Sequence, residues 1–299
     1  MSLRLPKVPN GPWRKEYPFK SRYLDLGHGQ AMHYLDEGQG PPVIMVHGNP
    51  SWSFMFRRLV QALPGFRRLV PDHLGMGLSS RPGGHYGFTL KERLDDFGQW
   101  AESLDLTEPA HLIVHDWGGP IGLGWASQNP GRVASLTVMN TGLRVPKGFK
   151  VPLKLAIFRL SPFLGRLMAT ELNIFVKGVT RHGTVRPLAP EAIEGFLAPY
   201  GLPSHREGIY GFVDDIPLKG KGCSETLAGI DQGFGLLADK PTLFVWGLRD
   251  FVFTKHFLDD FTQRLPQAQV IPLPRAGHWL LEDEPLAIAK AIKAFLPRR

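Results

Sequence analysis

Short apolar runs alternate with amphipathic stretches along most of this chain. "RYLDLGHGQAMHYLDEGQG" holds two alternating strands that meet at Gly27-His28-Gly29, an antiparallel hairpin. "PPVIMVHGNP" follows, a continuous apolar run of the kind a strand buried on both faces requires. The pattern next predicts a helix in "SFMFRRLVQAL" and a short strand in "RRLVPD". In "TLKERLDDFGQWAESLDL", Thr89 and Glu92 have the spacing of a capping box, and Leu94, Phe97, Trp100 and Leu104 recur at helical spacing. Strand "AHLIVHD", helix "GGPIGLGWASQ" and strand "RVASLTVMN" come next. After a long interruption the alternation resumes with "KPTLFVWGLRD", "TKHFLDDFTQRL", "AQVIPLP" and "EPLAIAKAIKAFL".

Alternating apolar strands and helices predict an α/β fold with a mostly parallel sheet covered on both faces. Right-handed crossovers then bring the C-terminal strand ends to one edge, where ligands bind. The interruption, from about Arg144 to Glu225, has helical pieces ("LKLAIFRLSPFLGRLMATELNIFV", "PEAIEGFLAPY") broken by Pro and Gly. It reads as a helical cap over that edge. The expected organisation is therefore a core of 1–143 and 226–299 with a cap of 144–225.

Composition changes this picture little. The 299 residues are 43% hydrophobic and 21% charged, as in a soluble globular protein. The net charge of +8 could suggest nucleic acid, but the basic residues are scattered and no nucleic-acid-binding motif accompanies them. Twelve Lys/Arg against seven Asp/Glu place +5 of that charge in the interruption. No apolar run approaches a membrane span, and the N-terminal "MSLRLPKVPNGPWRKEYPF" has no apolar signal region, so the expected location is the cytoplasm. A single cysteine, Cys223, excludes an intrachain disulfide framework and a multi-cysteine metal site.

The chemistry lies where strands end. In "HLIVHDWGGPIGLGWA" a strand turns through His115-Asp116-Trp117-Gly118-Gly119 into a helix. Such an elbow lifts a nucleophile above the sheet and needs small neighbours. Taken alone, Asp116 would be read as a helix cap. Two further strand ends alter that reading. Asp250 closes "WGLRD", and His278 stands in "RAGHWLLEDEP" after the last strand. Asp116, Asp250 and His278 thus follow the chain order nucleophile, acid, base. No G-x-S-x-G occurs, so the nucleophile is a carboxylate. Attack on a peptide or ester carbonyl would give a mixed anhydride. Attack at sp³ carbon, by displacement or ring opening, gives an alkyl ester that a water activated by His278 can hydrolyse. The leaving group then needs donors that do not titrate. The Trp117 indole and the Asn49 amide, the latter in the oxyanion-hole loop "VHGNP", supply them.

"HGNP", "PDHLGMGLSSRP", "HDWGG", "WGLRDFVF" and "AGHWLLEDEP" resemble the motifs of haloalkane dehalogenases in the α/β-hydrolase superfamily. The resemblance runs from about Tyr23 to the C-terminus. It implies an eight-stranded α/β-hydrolase fold, with Asp116, His278 and Asp250 as triad and Asn49 and Trp117 as halide pair. Where one branch of the family carries its acid, this chain has Asn140, so the acid falls to Asp250. The Asp–His–Asp triad with an Asn/Trp pair is similar to the branch close to the β-lactone decarboxylases of long-chain olefin biosynthesis. "HREGIYGFVDDIPL" and "RDFVFTKHFLDDF" resemble those decarboxylases too.

The resemblance implies hydrolysis of a carbon–halogen bond first, and decarboxylation of a β-lactone as the alternative. An epoxide hydrolase comes third, with Tyr200 and Tyr210 as candidate donors from the cap. A fluoroacetate-type enzyme would be similar to a pattern with Arg where Trp117 stands. A non-catalytic receptor on this fold is argued against by the intact triad. Expected partners are a small apolar substrate, water and a halide ion. No cofactor, metal or nucleic acid is expected, and self-association is left open.

Overall fold

The computed structural model describes residues 5–84, 86–149, 161–217 and 222–297. Eight strands form one sheet: β1 (Arg22–Gly27), β2 (Gln30–Glu37), β3 (Pro42–Val46), β4 (Arg67–Pro71), β5 (Ala110–His115), β6 (Val133–Met139), β7 (Thr242–Gly247) and β8 (Gln269–Leu273). Their spatial order is β1-β2-β4-β3-β5-β6-β7-β8. The β1–β2 and β2–β4 pairs are antiparallel and the rest parallel. Every residue of β3, β5 and β7 is buried, which is why these strands read as unbroken apolar runs. The opening hairpin turns where expected, with Gly27, His28 and Gly29 all at positive φ.

The first core helices are α1 (Arg57–Ala62), α2 (Leu90–Glu102) and α3 (Gly118–Gln128). The helix expected from Ser53 is split: Ser53–Phe56 forms a 3₁₀ turn before α1 begins. Thr89 and Glu92 make the reciprocal capping box of α2. Among the described cap residues lie α4 (Pro162–Arg166), α5 (Ile174–His182), α6 (Pro190–Leu197) and α7 (Glu207–Asp214). A π turn over Leu167–Glu171 and a left-handed Asn173 interrupt what the sequence shows as one apolar stretch. Its beginning, at positions 153–160, lies outside the described residues.

The chain then forms α8 (Ser224–Gly233), α9 (Lys255–Arg264), α10 (Leu280–Asp283) and α11 (Pro285–Phe295). Gly124 of α3 leaves room for Ile230 of α8. That packing ties α8 to the core, so we propose that the core resumes with this helix at Ser224, two residues before the boundary expected at 226. Among the described residues no helix is long and apolar enough to cross a membrane.

Candidate active site

β3, β5, β6 and β7 run parallel, so their C-terminal ends share one edge of the sheet. At that edge Asp116 links β5 to α3 with a φ of +54°, a left-handed conformation that costs a non-glycine residue energy. The turn exists because its neighbours are small. A Cβ on Gly118 would strike the Val46 carbonyl, and one on Gly119 the Thr141 hydroxyl. The strained residue is also held at both ends. Its N–H donates to the Asn140 carbonyl at 3.1 Å, and its carbonyl accepts from Thr141 Oγ1 at 2.5 Å.

The Asp116 carboxylate accepts from the Asn49 N–H at 2.6 Å and from the Trp117 N–H. Burial pushes this carboxyl up to about 6, against the opposing pull of His278 and the two backbone donors. Asp250 is equally hidden and goes the other way. Burial raises it, but the His278 charge and hydrogen bond, the Val252 N–H and the Asn140 amide together carry it below the ordinary carboxylate value. Its Oδ2 meets His278 Nδ1 and Asn140 Nδ2, each at 2.9 Å, and its Oδ1 accepts from the Val252 N–H at 2.6 Å.

His278 lies between the two carboxylates. Burial pulls its imidazole down, yet Asp250 and Asp116 lift it above its usual value. Nε2 is 3.7 Å from Asp116 Oδ2, beyond hydrogen-bond reach, with Nδ1 already committed to Asp250. Nε2 is thus the nitrogen turned toward the Asp116 carboxylate.

Asn49, Trp117, Asp116 and His278 all line one cavity of about 140 Å³. Most of its remaining wall is apolar, with Phe149, Phe175, Val213, Leu227 and Phe253 among the contributors. Asn49 Nδ2 donates to the Ile209 carbonyl at 3.3 Å, leaving its second N–H for a ligand. The Trp117 indole packs against Phe212, ring centroids 5.2 Å apart. The five residues named from the sequence therefore converge: four line the cavity, and Asp250 stands behind His278.

The two cap tyrosines do not join them. Tyr200 is fully buried, donating to the Ser51 carbonyl and accepting from the Gly77 N–H. Tyr210 turns to the Pro162 carbonyl and Asp214. Neither lines the cavity, so the pair an epoxide oxygen would need is not assembled there.

Three supporting residues were not singled out for these contacts. Asn140, seen in the sequence only as an acid that is missing, holds Asp250 and also clasps Gly247 through both its amide atoms. His115 donates from Nε2 to the His278 carbonyl at 2.8 Å, and burial pulls its imidazole down to about 3, so it stays neutral. Phe253 stacks on the His278 ring. A histidine ending an otherwise apolar buried strand was the available signal for His115. Among the described residues no cluster of three or more His, Cys, Asp or Glu side chains could hold a metal ion.

Comparison with known proteins bears out the fold. Residues 41–183 match the family described as alpha/beta hydrolase fold. The cis-3-alkyl-4-alkyloxetan-2-one decarboxylase of Shewanella oneidensis is 41% identical, over 93% of this chain and 89% of that protein. Haloalkane dehalogenase 2 of Mycobacterium tuberculosis is 32% identical, over 92% and 94%. The chain belongs to the α/β-hydrolase family. Among solved structures, a single-residue variant of haloalkane dehalogenase DatA from Agrobacterium tumefaciens C58 superposes on this α/β-hydrolase with a TM-score of 0.85. It is 28% identical and covers 93% of this chain and 97% of its own. The family includes relatives named for two activities, so the α/β-hydrolase assignment alone does not choose between them.

Proposed function

We propose that this enzyme opens a cis-3,4-dialkyl β-lactone with Asp116 and releases a cis-alkene and carbon dioxide. The observation that carries this reading is the greater identity to the oxetanone decarboxylase than to the dehalogenase, over nearly the whole chain. The apolar cavity suits two alkyl chains meeting at a small polar ring.

The chemistry follows from a carboxylate nucleophile. Asp116 attacks C4 from behind, the C4–O ring bond breaks, and C4 inverts. In the flat ring the C4–O bond eclipses the bond from C3 to the carboxyl carbon. After backside attack the new C4–O(Asp116) bond stands anti to it. Carbon dioxide then leaves, its bonding pair becomes the C3=C4 π bond, and Asp116 departs with the C4–O pair as a carboxylate. The alkyl groups keep their cis relation, and neither water nor a proton is consumed. Asn49 and Trp117 hold the freed carboxylate between the steps. The Asn49 and Trp117 backbone N–H groups and His278 receive the charge that returns to Asp116.

One observation favours a second reading. Asn49 and Trp117 are two uncharged N–H donors beside a nucleophilic aspartate, a pair equally suited to a halide. A dehalogenase would form the same alkyl ester and hydrolyse it with water activated by His278. Turnover in ¹⁸O-water separates the two. Hydrolysis at the aspartate carbonyl writes the label into Asp116, whereas decarboxylation leaves it unlabelled. We expect cis-alkene from a cis-dialkyl β-lactone with no label in the Asp116 peptide. Bromide release from a 1-bromoalkane with labelled Asp116, and no alkene from the lactone, would overturn the proposal in favour of the dehalogenase.

A further inference from the structure

Behind the leaving-group pocket lies a buried cation that the chemistry above does not use. Arg93, on α2, is 1% exposed. Its guanidinium donates to three carbonyl oxygens: Phe88 at 3.3 Å, Leu74 at 3.3 Å and Gly208 at 2.9 Å. It lies 3.5 Å from the centroid of the Phe212 ring. Carbonyl dipoles and a ring face satisfy its donors without cancelling its charge, and burial pulls its pKa below the ordinary arginine value.

Helix α7 connects that cation to both ligand-binding side chains. Its Gly208 carbonyl accepts from Arg93, and its Ile209 carbonyl accepts from Asn49 Nδ2. Its Phe212 touches both Arg93 and the Trp117 indole. The helix seats with its backbone directly on the core. A Cβ on Gly208 would come within 2.7 Å of the Gly75 carbonyl, and one on Gly211 would strike Phe88. A single short cap helix thus sets where the Asn49 amide and the Trp117 indole point, and Arg93 fastens it.

We propose that Arg93 and Phe212 are positioning residues that make this pocket an anion site. Arg93 pins α7 so that Asn49 and Trp117 converge, and its charge, relayed past Phe212, favours the anion that leaves. This rests on the reading of Asn49 and Trp117 as leaving-group donors. It holds for either anion, a carboxylate or a halide. The two ring contacts put the guanidinium within about 9 Å of the indole. An anion accepting from the indole N–H lies a few ångströms farther, at about 12 Å, where with an effective dielectric of about 20 a unit charge changes anion affinity about tenfold.

The test uses two probes, bromide and octanoate, titrated against the intrinsic fluorescence of the full-length protein. The variants are Arg93→Lys, Arg93→Met and Phe212→Leu. Lys and Met both lose the planar fork that spans the three carbonyls, but only Lys keeps a charge. We expect saturable binding in the wild type, about tenfold weaker in Arg93→Met and severalfold weaker in Phe212→Leu. Arg93→Lys should stay near wild type at about pH 7 and weaken toward about pH 9, because burial depresses a lysine into that range.

The neighbouring groups do not imitate this. Burial holds His47 and His73 neutral, Asp96 is pushed up to about 6, and Tyr86 titrates well above its ordinary value. Glu92 and Asp215 are carboxylates whose charges also act on Arg93. Equal affinity in wild type and Arg93→Met would overturn the proposal. So would equal loss in Lys and Met at every pH, since packing alone would explain it. If Arg93→Met does not fold, the pH profile of Arg93→Lys decides by itself. A wild type that binds neither anion also sinks the inference, while alkene release in the lactone assay judges the proposed function separately.

Discussion

Asp116 and Asp250 stand just beyond the ends of parallel strands β5 and β7, and both are almost fully buried. Burial alone would push both carboxyls upward. Only Asp116 ends there, at about 6, while Asp250 falls below its usual range. The difference is in what each receives. Asp250 takes a backbone N–H, the Asn140 amide and the imidazole of His278 directly. Asp116 takes two backbone N–H groups and only the distant charge of His278, whose Nε2 stays 3.7 Å away. The under-solvated carboxylate has a face open to the cavity and is the one able to attack carbon. The fully satisfied one is inert and permanently charged, which is what an orienting acid requires. Identical side chains shift in opposite directions because one region completes their hydrogen bonding and the other withholds it, the arrangement the proposed roles of nucleophile and orienting acid require.

The comparison can be broken most severely at Asp250. Asp250→Asn removes the charge that lifts His278 and turns the imidazole toward Asp116. Where the orienting aspartate of a serine protease was replaced in this way, turnover fell about 10⁴-fold. Here hydrolysis of a bromoalkane adduct should fall by a similar factor. Alkene formation, which asks His278 only to stabilise charge, should fall about 10²–10³-fold. Equal losses in both assays would mean that His278 acts as a base in both.

A smaller effect probes the raised carboxyl. A folded-state value of about 6 against the ordinary 3.8 means that the folded protein holds its Asp116 proton more tightly than the unfolded chain. Stability from this group is therefore present at low pH and lost as pH rises through about 6. Above that pH the ionised carboxylate costs the fold up to about 3 kcal/mol. Asp116→Asn should be more stable than wild type at about pH 8, and the difference should shrink toward about pH 4. Denaturant titration at both pH values measures it. For the same reason kcat/KM of the wild type should fall about tenfold per unit below about pH 6. A flat acid limb would show that Asp116 titrates elsewhere.

How much of this could be read from the sequence depends on the distance over which each feature is encoded. The sheet strands are buried on both faces, so their apolar runs announce them, and the capping box of α2 is local to Thr89 and Glu92. The elbow was legible because Gly118 and Gly119 must be small beside Asp116. The cap was not legible in detail. Its described helices are short and joined by a π turn and 3₁₀ turns, so no period runs long enough to be read. Where Tyr200 and Tyr210 point depends on packing against residues far away in the chain, and the sequence placed both near a substrate they do not reach. The hold of Arg93 on α7 spans more than a hundred residues and leaves no local mark.

Asn140 is the subtlest link in the comparison, and it carries the smallest expected effect. It ends the strand beside the elbow with a φ of +30°, so its backbone is already strained. Its carbonyl accepts the Asp116 N–H, while its side chain reaches the other way to Asp250 and Gly247. One residue therefore braces both aspartates, the first through its backbone and the second through its amide. Asn140→Ala keeps the backbone contact to Asp116 and deletes the donor to Asp250 together with the two amide contacts to Gly247. Two of the three donors to Asp250 survive, so its carboxyl should rise and its grip on His278 loosen. A hydrogen bond to a charged group contributes roughly 1.5–3 kcal/mol, and the surviving donors recover part of that. We expect kcat to fall about tenfold, with KM little changed. The acid limb of the pH profile should stay at about 6, because Asp116 keeps its own donors. If the acid limb moved while kcat held, Asn140 would be serving Asp116 rather than Asp250, and the two environments would not be separable.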